Sequence, residues 1–421
     1  MKINSLFAGI LLMLIATAAA AQPTRLDSAI RNLSKESDPQ KTVATINKII
    51  TDFNLDKNKD AETLDVLYGT AAVNFAMHKD HQQFEKYISL IKNKFNQTSF
   101  MNMAASKMLN DTIDVDYAKV ISEKTLTLYN SFKNDPAAKP NDLTKADWQR
   151  FMDFAQYPYY DTYAHSLFAM KEYDEALKYQ QMAFNGKPED GIPSSVERYA
   201  LLLQLTGKKD VARQLLLKRA STGKLNKGMT EQLQDIYISE KGNDKNLGAF
   251  LDSLQKNVQT ALIQELKAEM LDQVAPKFSL KDIKGRKVNL SEYAGKIVVL
   301  DLWATWCAPC IASFPAMEVM VKKHPEIAFL FIAVEEKGPD PLFRIKNFIE
   351  KRNYPFVVLL DEPTEADPSQ FKIISAYRPN GIPAKYIIDK NGILRFKTSG
   401  FDTDSELINE LEAMFAIIKN S

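Results

Sequence analysis

The chain has 421 residues, 45% of them hydrophobic and 25% charged, with 15 glycines, 18 prolines and a formal net charge of +1. That length is too great for one ordinary core, and the composition excludes a disordered or fibrous chain. A charge this close to neutral leaves no electrostatic footprint for nucleic acid or for an anionic membrane surface.

Lys2 gives the N-terminus a short positive region, Leu6 to Ala16 is uncharged and apolar, and Ala19-Ala20-Ala21 places small residues before Gln22. The pattern predicts a signal peptide over residues 1–21, with the mature chain exported to the periplasm. The apolar run is short for a bilayer, and no cysteine stands at the junction for lipid attachment.

Residues 22–270 read as an all-helical domain, dominated by Ala, Leu, Lys, Glu and Gln with little β-branched alternation. The most regular stretch, about 157–223, is tetratricopeptide-like: Ala164, Ala176 and Ala183 fall where paired helices approach, and Pro188 follows the second helix. Thr230 to Met270 predicts two further helices. Arrays of this kind bind peptides, so a peptide or protein partner on the helical domain is expected.

Near Val274 the texture changes, and residues 271–421 read as a second domain. Short β-rich runs are expected at Val288–Leu290, Lys296–Leu302, Ile327–Val334, Phe356–Leu360, Ala384–Asp389 and Ile393–Thr398. Helices are expected at Cys307–Lys323, Pro341–Arg352, Ser369–Tyr377 and Asp404–Lys419, and Asn391-Gly392 marks a hairpin turn. Strands alternating with helices and ending in a hairpin predict an α/β sandwich.

The two cysteines, Cys307 and Cys310, stand three residues apart after the apolar run Val298–Leu302. Bridging them closes almost no loop, so a structural staple gains little. A zinc half-site needs two further ligands; no third cysteine exists, and His78, His81, His165 and His324 show no partnering pattern. A redox pair at the start of a helix fits, because unpaired N–H groups and the helix dipole stabilise a thiolate there. Cys307, nearer the start, is expected to be the more exposed and attacking sulfur, and Cys310 the resolving one. No metal and no cofactor other than this dithiol is expected. Asp301 lies six residues before Cys307 in the apolar run, where a carboxylate is costly to bury; burial raises its pKa and suits acid–base work near neutral pH.

From about Ala275 onward the chain resembles the thioredoxin superfamily, and within it the exported TlpA/ResA-like thiol–disulfide oxidoreductases. The resemblance rests on Ala275-Pro-Lys-Phe-Ser-Leu280, on Trp303 and Trp306 before the first cysteine, on Pro315 five after the second, and on Gly381-Ile382-Pro383. It implies a thioredoxin-like fold, a central mixed sheet flanked by helices, following the helical-repeat-like domain. It implies a cis Ile382–Pro383 bond, with Pro383 against the sulfurs and with Ile382 and Trp306 contacting substrate. It implies that Asp301 exchanges a proton with Cys310, and that Val334 to Asp361 contains an insert. ResA-like reductases carry a Glu where this chain has Ser313, which shifts the acid–base role to Asp301. Glu335 and Glu336, at the end of a central strand, could reach the site, but solvated loop carboxylates are the favoured reading.

Ala308-Pro309 between the cysteines resembles reducing members of the superfamily, as does Ile382 before the proline. The expected activity is reduction of oxidised protein substrates, with a membrane thiol carrier as electron donor. The competing expectation is a peptide-binding helical-repeat protein with an accessory thioredoxin-like domain. A peroxidase is disfavoured, since Leu300 and Ala304 stand where its motif needs Pro and Thr.

Overall fold

The computed structural model describes residues 25–34, 36–135, 138–139, 144–336, 340–364 and 370–420. The expected signal peptide lies outside them, as does Ser369. By residue contacts the chain falls into two compact units that divide between Ala212 and Arg213.

The first unit is helical. Its helices are α1 (Arg25–Leu33), α2 (Pro39–Asp52), α3 (Ala61–Met77), α4 (His81–Leu90), α5 (Lys94–Asn110), α6 (Val115–Phe132), α7 (Lys145–Ala169), α8 (Tyr173–Phe184) and α9 (Pro193–Leu205), and α10 (Lys209–Ser221) crosses the division. Local chemistry sets several starts. Asp38 accepts from the Gln40 and Lys41 amides while Pro39 occupies the first turn of α2, where its missing N–H is no loss. Helices α7 and α8 are joined by three residues and form a hairpin, in which Ala164, Ala176 and Ala183 are buried. Arg198 of α9 ties the hairpin together, donating to Asp161 of α7 at 2.6 Å and to Gln180 of α8 at 3.0 Å. Helix α7 starts twelve residues ahead of the expected segment and carries Pro158 within it.

The second unit contains α11 (Lys227–Lys241), α12 (Leu247–Glu269), β1 (Gln273–Val274), β2 (Ser279–Asp282), β3 (Lys287–Asn289), β4 (Val298–Trp303), α13 (Ala308–Lys323), β5 (Ala328–Ala333), α14 (Pro341–Lys351), β6 (Val357–Leu360), α15 (Lys372–Tyr377), β7 (Ala384–Ile388), β8 (Ile393–Ser399) and α16 (Asp404–Lys419). The expected boundary at 270/271 is where helix gives way to sheet. The compact unit reaches further back, because α12 packs on α16: Leu266 joins the core, and Gln259 donates to the Asn409 carbonyl at 3.0 Å.

One mixed sheet runs in the order β1-β8-β7-β4-β5-β6-β2-β3. Strands β4, β5 and β6 are parallel neighbours, and β7 lies antiparallel to β4. Every residue of β4, β5 and β7 is buried, the mark of strands covered on both faces. One face packs Trp303 and Phe331 with Phe314 of α13 and Met414 of α16; the other packs Leu280, Val288, Leu300 and Leu330 with Ile373 of α15. This is a thioredoxin-like α/β domain. Strand β1 was not among the expected runs, since a two-residue edge strand carries little pattern of its own; β2 begins within Ala275–Leu280, one of the segments that carry the resemblance.

Candidate active site

Strand β4 delivers the chain at Trp303, Ala304–Trp306 turn it, and α13 begins at Ala308 with Pro309 in its first turn. Cys307 is the N-cap of α13, and its Sγ accepts a hydrogen bond from the Cys310 amide at 3.2 Å. The two sulfurs are bonded at 2.00 Å. Cys307 is 4% exposed and Cys310 0%, so both residues are buried in this oxidised pair and Cys307 is the more exposed by a small margin. Ser313 donates its hydroxyl to the Cys310 carbonyl at 2.8 Å, so it packs the helix turn instead of presenting an acid.

Glu336 corrects the expectation of a solvated loop carboxylate. Its side chain is 6% exposed and accepts from the Thr305 amide at 2.5 Å and from the Thr305 hydroxyl at 2.8 Å. Arg344 of α14 stands 3.3 Å from the same carboxylate. The neighbouring Glu335 uses its carbonyl, accepting from Trp306 Nε1 at 3.1 Å. The register explains the meeting: β5 runs parallel beside β4 with Ala333 opposite Trp303, so the loops leaving both strands emerge together. Trp306, held in this way, remains 52% exposed.

Asp301 is 1% exposed. Side chains alternate along a strand, so it shares the helix-covered face with Val299 and Trp303, the face on which the disulfide also packs. Burial pushes its pKa up, and Lys385 opposes that rise. Lys385, missed in the sequence reading, is the register partner of Asp301 on β7 and places its Nζ 3.4 Å from Oδ1. A lysine inside the unbroken run Ala384-Lys-Tyr-Ile-Ile388 was the available signal, because a strand apolar on both sides of a charge implies a buried partner for it.

The Ile382–Pro383 bond is cis. Ala384 pairs with Leu302, so Pro383 stands at the end of β7 that faces the exit of β4 toward Cys307. Pro383 is buried, and Ile382 is half-buried against both faces' cores. The structure thus brings Cys307, Cys310, Trp306, Pro383 and Ile382 to one end of the sheet, with Asp301 beneath them inside the strand.

A thioredoxin-like sheet whose central strand runs into a disulfide at a helix N-terminus defines a thiol–disulfide oxidoreductase. Residues 271–397 match the model described as the AhpC/TSA family. The thiol-disulfide oxidoreductase ResA of Bacillus cereus (strain ZK / E33L) is 32% identical over 138 residues, 33% of this chain and 75% of that protein. The thioredoxin-like protein YneN of Bacillus subtilis (strain 168) is 32% identical over 145 residues, 33% of this chain and 78% of that protein. A crystal structure of a putative thiol:disulfide interchange protein DsbE from Chlorobium tepidum is 28% identical, covering 35% of this chain and 96% of that one, with a TM-score of 0.29. The chain belongs to the ResA family of thiol–disulfide oxidoreductases.

Proposed function

We propose that this oxidoreductase works in the periplasm as a reductase of oxidised protein cysteines. The Cys307 thiolate attacks a substrate disulfide, forming a mixed disulfide and releasing one substrate thiolate. Cys310 then gives its proton to Asp301 and attacks Cys307, which releases the second substrate thiolate. The dithiol has lost two electrons and stands as the Cys307–Cys310 disulfide; a membrane thiol donor returns them. The single observation behind this reading is the Cys310 amide directed at Cys307 Sγ, 3.2 Å away, because an N–H donor stabilises the thiolate more than the thiol. Pro383 and the Ile382 backbone line the approach for an extended substrate, and exposed Trp306 flanks it.

Two sequence features support the remaining assignments. Export rests on the signal-like residues 1–21, and no described helix is long and apolar enough to cross a membrane. The reducing direction rests on Ala308-Pro309 and Ile382. The helical region, tetratricopeptide-like over about 157–223, supplies a surface for a peptide or protein partner; the close α7–α8 hairpin with its buried alanines supports that part.

Full-length mature protein should reduce insulin with a thiol donor and lose that activity in Cys307→Ser. Its reduction potential should fall near the about −270 mV of a reducing thioredoxin, far from the about −120 mV of a strong oxidant. Cys310→Ala should trap substrates on Cys307. Failure to trap any protein, with no insulin turnover, would leave the peptide-binding reading in its place.

A further inference from the structure

Asp301 and Lys385 lie directly opposite one another on β4 and β7, both 1% exposed, with 3.4 Å between carboxylate and ammonium. Among the described residues neither group has a hydrogen-bond partner, so each has only the other to offset its burial. A buried carboxylate alone stays protonated, and a buried ammonium alone gives up its proton. Held together, they can remain charged within an apolar layer.

The surroundings offer little to replace this pairing. On β4 the same face carries Val299 and Trp303, and β5 sets Phe331 opposite Asp301. Helix α13 contributes the disulfide and Phe314, and α16 contributes Leu411. A further carboxylate in this row is Glu410 of α16. It accepts at 3.2 Å from Thr398 of β8, the register partner of Lys385 on its other side.

We propose that Lys385 is a positioning residue for the redox reaction, fixing the charge state of Asp301 and with it the pH range over which Asp301 takes the Cys310 proton. This rests on the reading of Asp301 as the proton acceptor. Before transfer the site holds the carboxylate, the ammonium and the Cys310 thiol. After transfer it holds the carboxylic acid, the ammonium and the thiolate. Net charge is unchanged, and the ammonium no longer has a carboxylate opposite it. Without Lys385 the first of these states loses its counter-charge, so Asp301 holds its own proton to higher pH and cannot accept another.

Single-turnover oxidation of the reduced full-length protein by a disulfide peptide, followed by tryptophan fluorescence from pH 5 to 10, separates the possibilities. Lys385→Met should shift the alkaline-rising limb upward by about one pH unit or more, the effect of removing an opposite charge at this distance. Asp301→Asn should remove the Asp301-dependent limb and leave only the rise set by Cys307 ionisation, which alkylation of the Cys310→Ala variant locates, and the double variant should match Asp301→Asn. A limb unchanged in Asp301→Asn sinks the proton-acceptor reading itself. A limb lost in Asp301→Asn but unmoved in Lys385→Met overturns the role of Lys385 alone. If Lys385→Met does not fold, the lysine Cε resonance of the wild-type protein decides: it should inflect at the pH where the Asp301 carboxyl carbon titrates, and a featureless lysine trace there overturns the proposal.

Discussion

Glu336 binds Thr305 twice, through the backbone amide at 2.5 Å and through the hydroxyl at 2.8 Å. Thr305 is two residues ahead of Cys307, so this carboxylate fixes the turn that leads into the disulfide.

Glu336→Ala leaves the Thr305 amide without its acceptor in a half-buried turn and should cost about 1–3 kcal/mol of stability. Insulin turnover should fall with it, and Glu336→Gln, which keeps one carbonyl acceptor, should lose less of both. Urea denaturation paired with the insulin assay checks this; an alanine variant with unchanged midpoint and rate would show the clasp to be incidental.

The Cys307 thiol of the reduced protein should titrate below the ordinary cysteine value, because its Sγ sits at the N-terminus of α13 facing the Cys310 amide. The pH dependence of iodoacetamide alkylation in the reduced Cys310→Ala variant reads this directly. An ordinary thiol titration would remove the chemical basis of the site.

Burial pushes the Asp361 carboxyl from 3.8 up to about 6, against the Ile373 and Ile374 amides that favour its ionised form. The folded chain therefore holds this proton more tightly than the unfolded one. Its contribution to stability is greatest below about pH 4, falls as pH rises toward about 6, and is lowest above that. Asp361→Asn should remove that slope, so variant minus wild-type stability should grow between those values by on the order of 1 kcal/mol, allowing for partial solvent access. Chemical denaturation at several pH values tests the sign; a difference that shrinks with rising pH would contradict it.

Gly69 lies within α3, where alanine would ordinarily gain up to about 1 kcal/mol in helix propensity. Here an added Cβ would stand 2.2 Å from Cδ2 of the buried Phe100 ring. Overpacking costs about 1–3 kcal/mol, so packing should outweigh propensity and Gly69→Ala should lower the melting temperature. A raised melting temperature would mean that the α3–α5 contact yields without cost.

The thioredoxin-like domain was legible because its signals are local. Trp306-Cys-Ala-Pro-Cys310 needs only a strand before it and a helix after it, and Asp301 announces itself as a charge in an apolar run. Helix and strand positions from Val298 onward agree to within a few residues for the same reason. The tertiary partners were not legible. Glu336 looked like any loop acid, and its burial depends on two parallel strands ending side by side. Lys385 went unread inside the strand expected at Ala384–Asp389, and only the β4–β7 register puts it opposite Asp301. Within the expected helical domain, α7 extends ahead of the tetratricopeptide-like stretch and runs through Pro158, which the packed helix accommodates.

By itself the sequence determined the dithiol, its place between strand and helix, and the proline of the facing loop, because each is set by spacing along a few bonded residues. The tertiary structure decided which charges meet inside the sheet, which acid clasps the active-site turn, and where the compact units divide. Those depend on strand register and helix packing between segments far apart in the chain, and a residue's own neighbours in sequence carry no record of them.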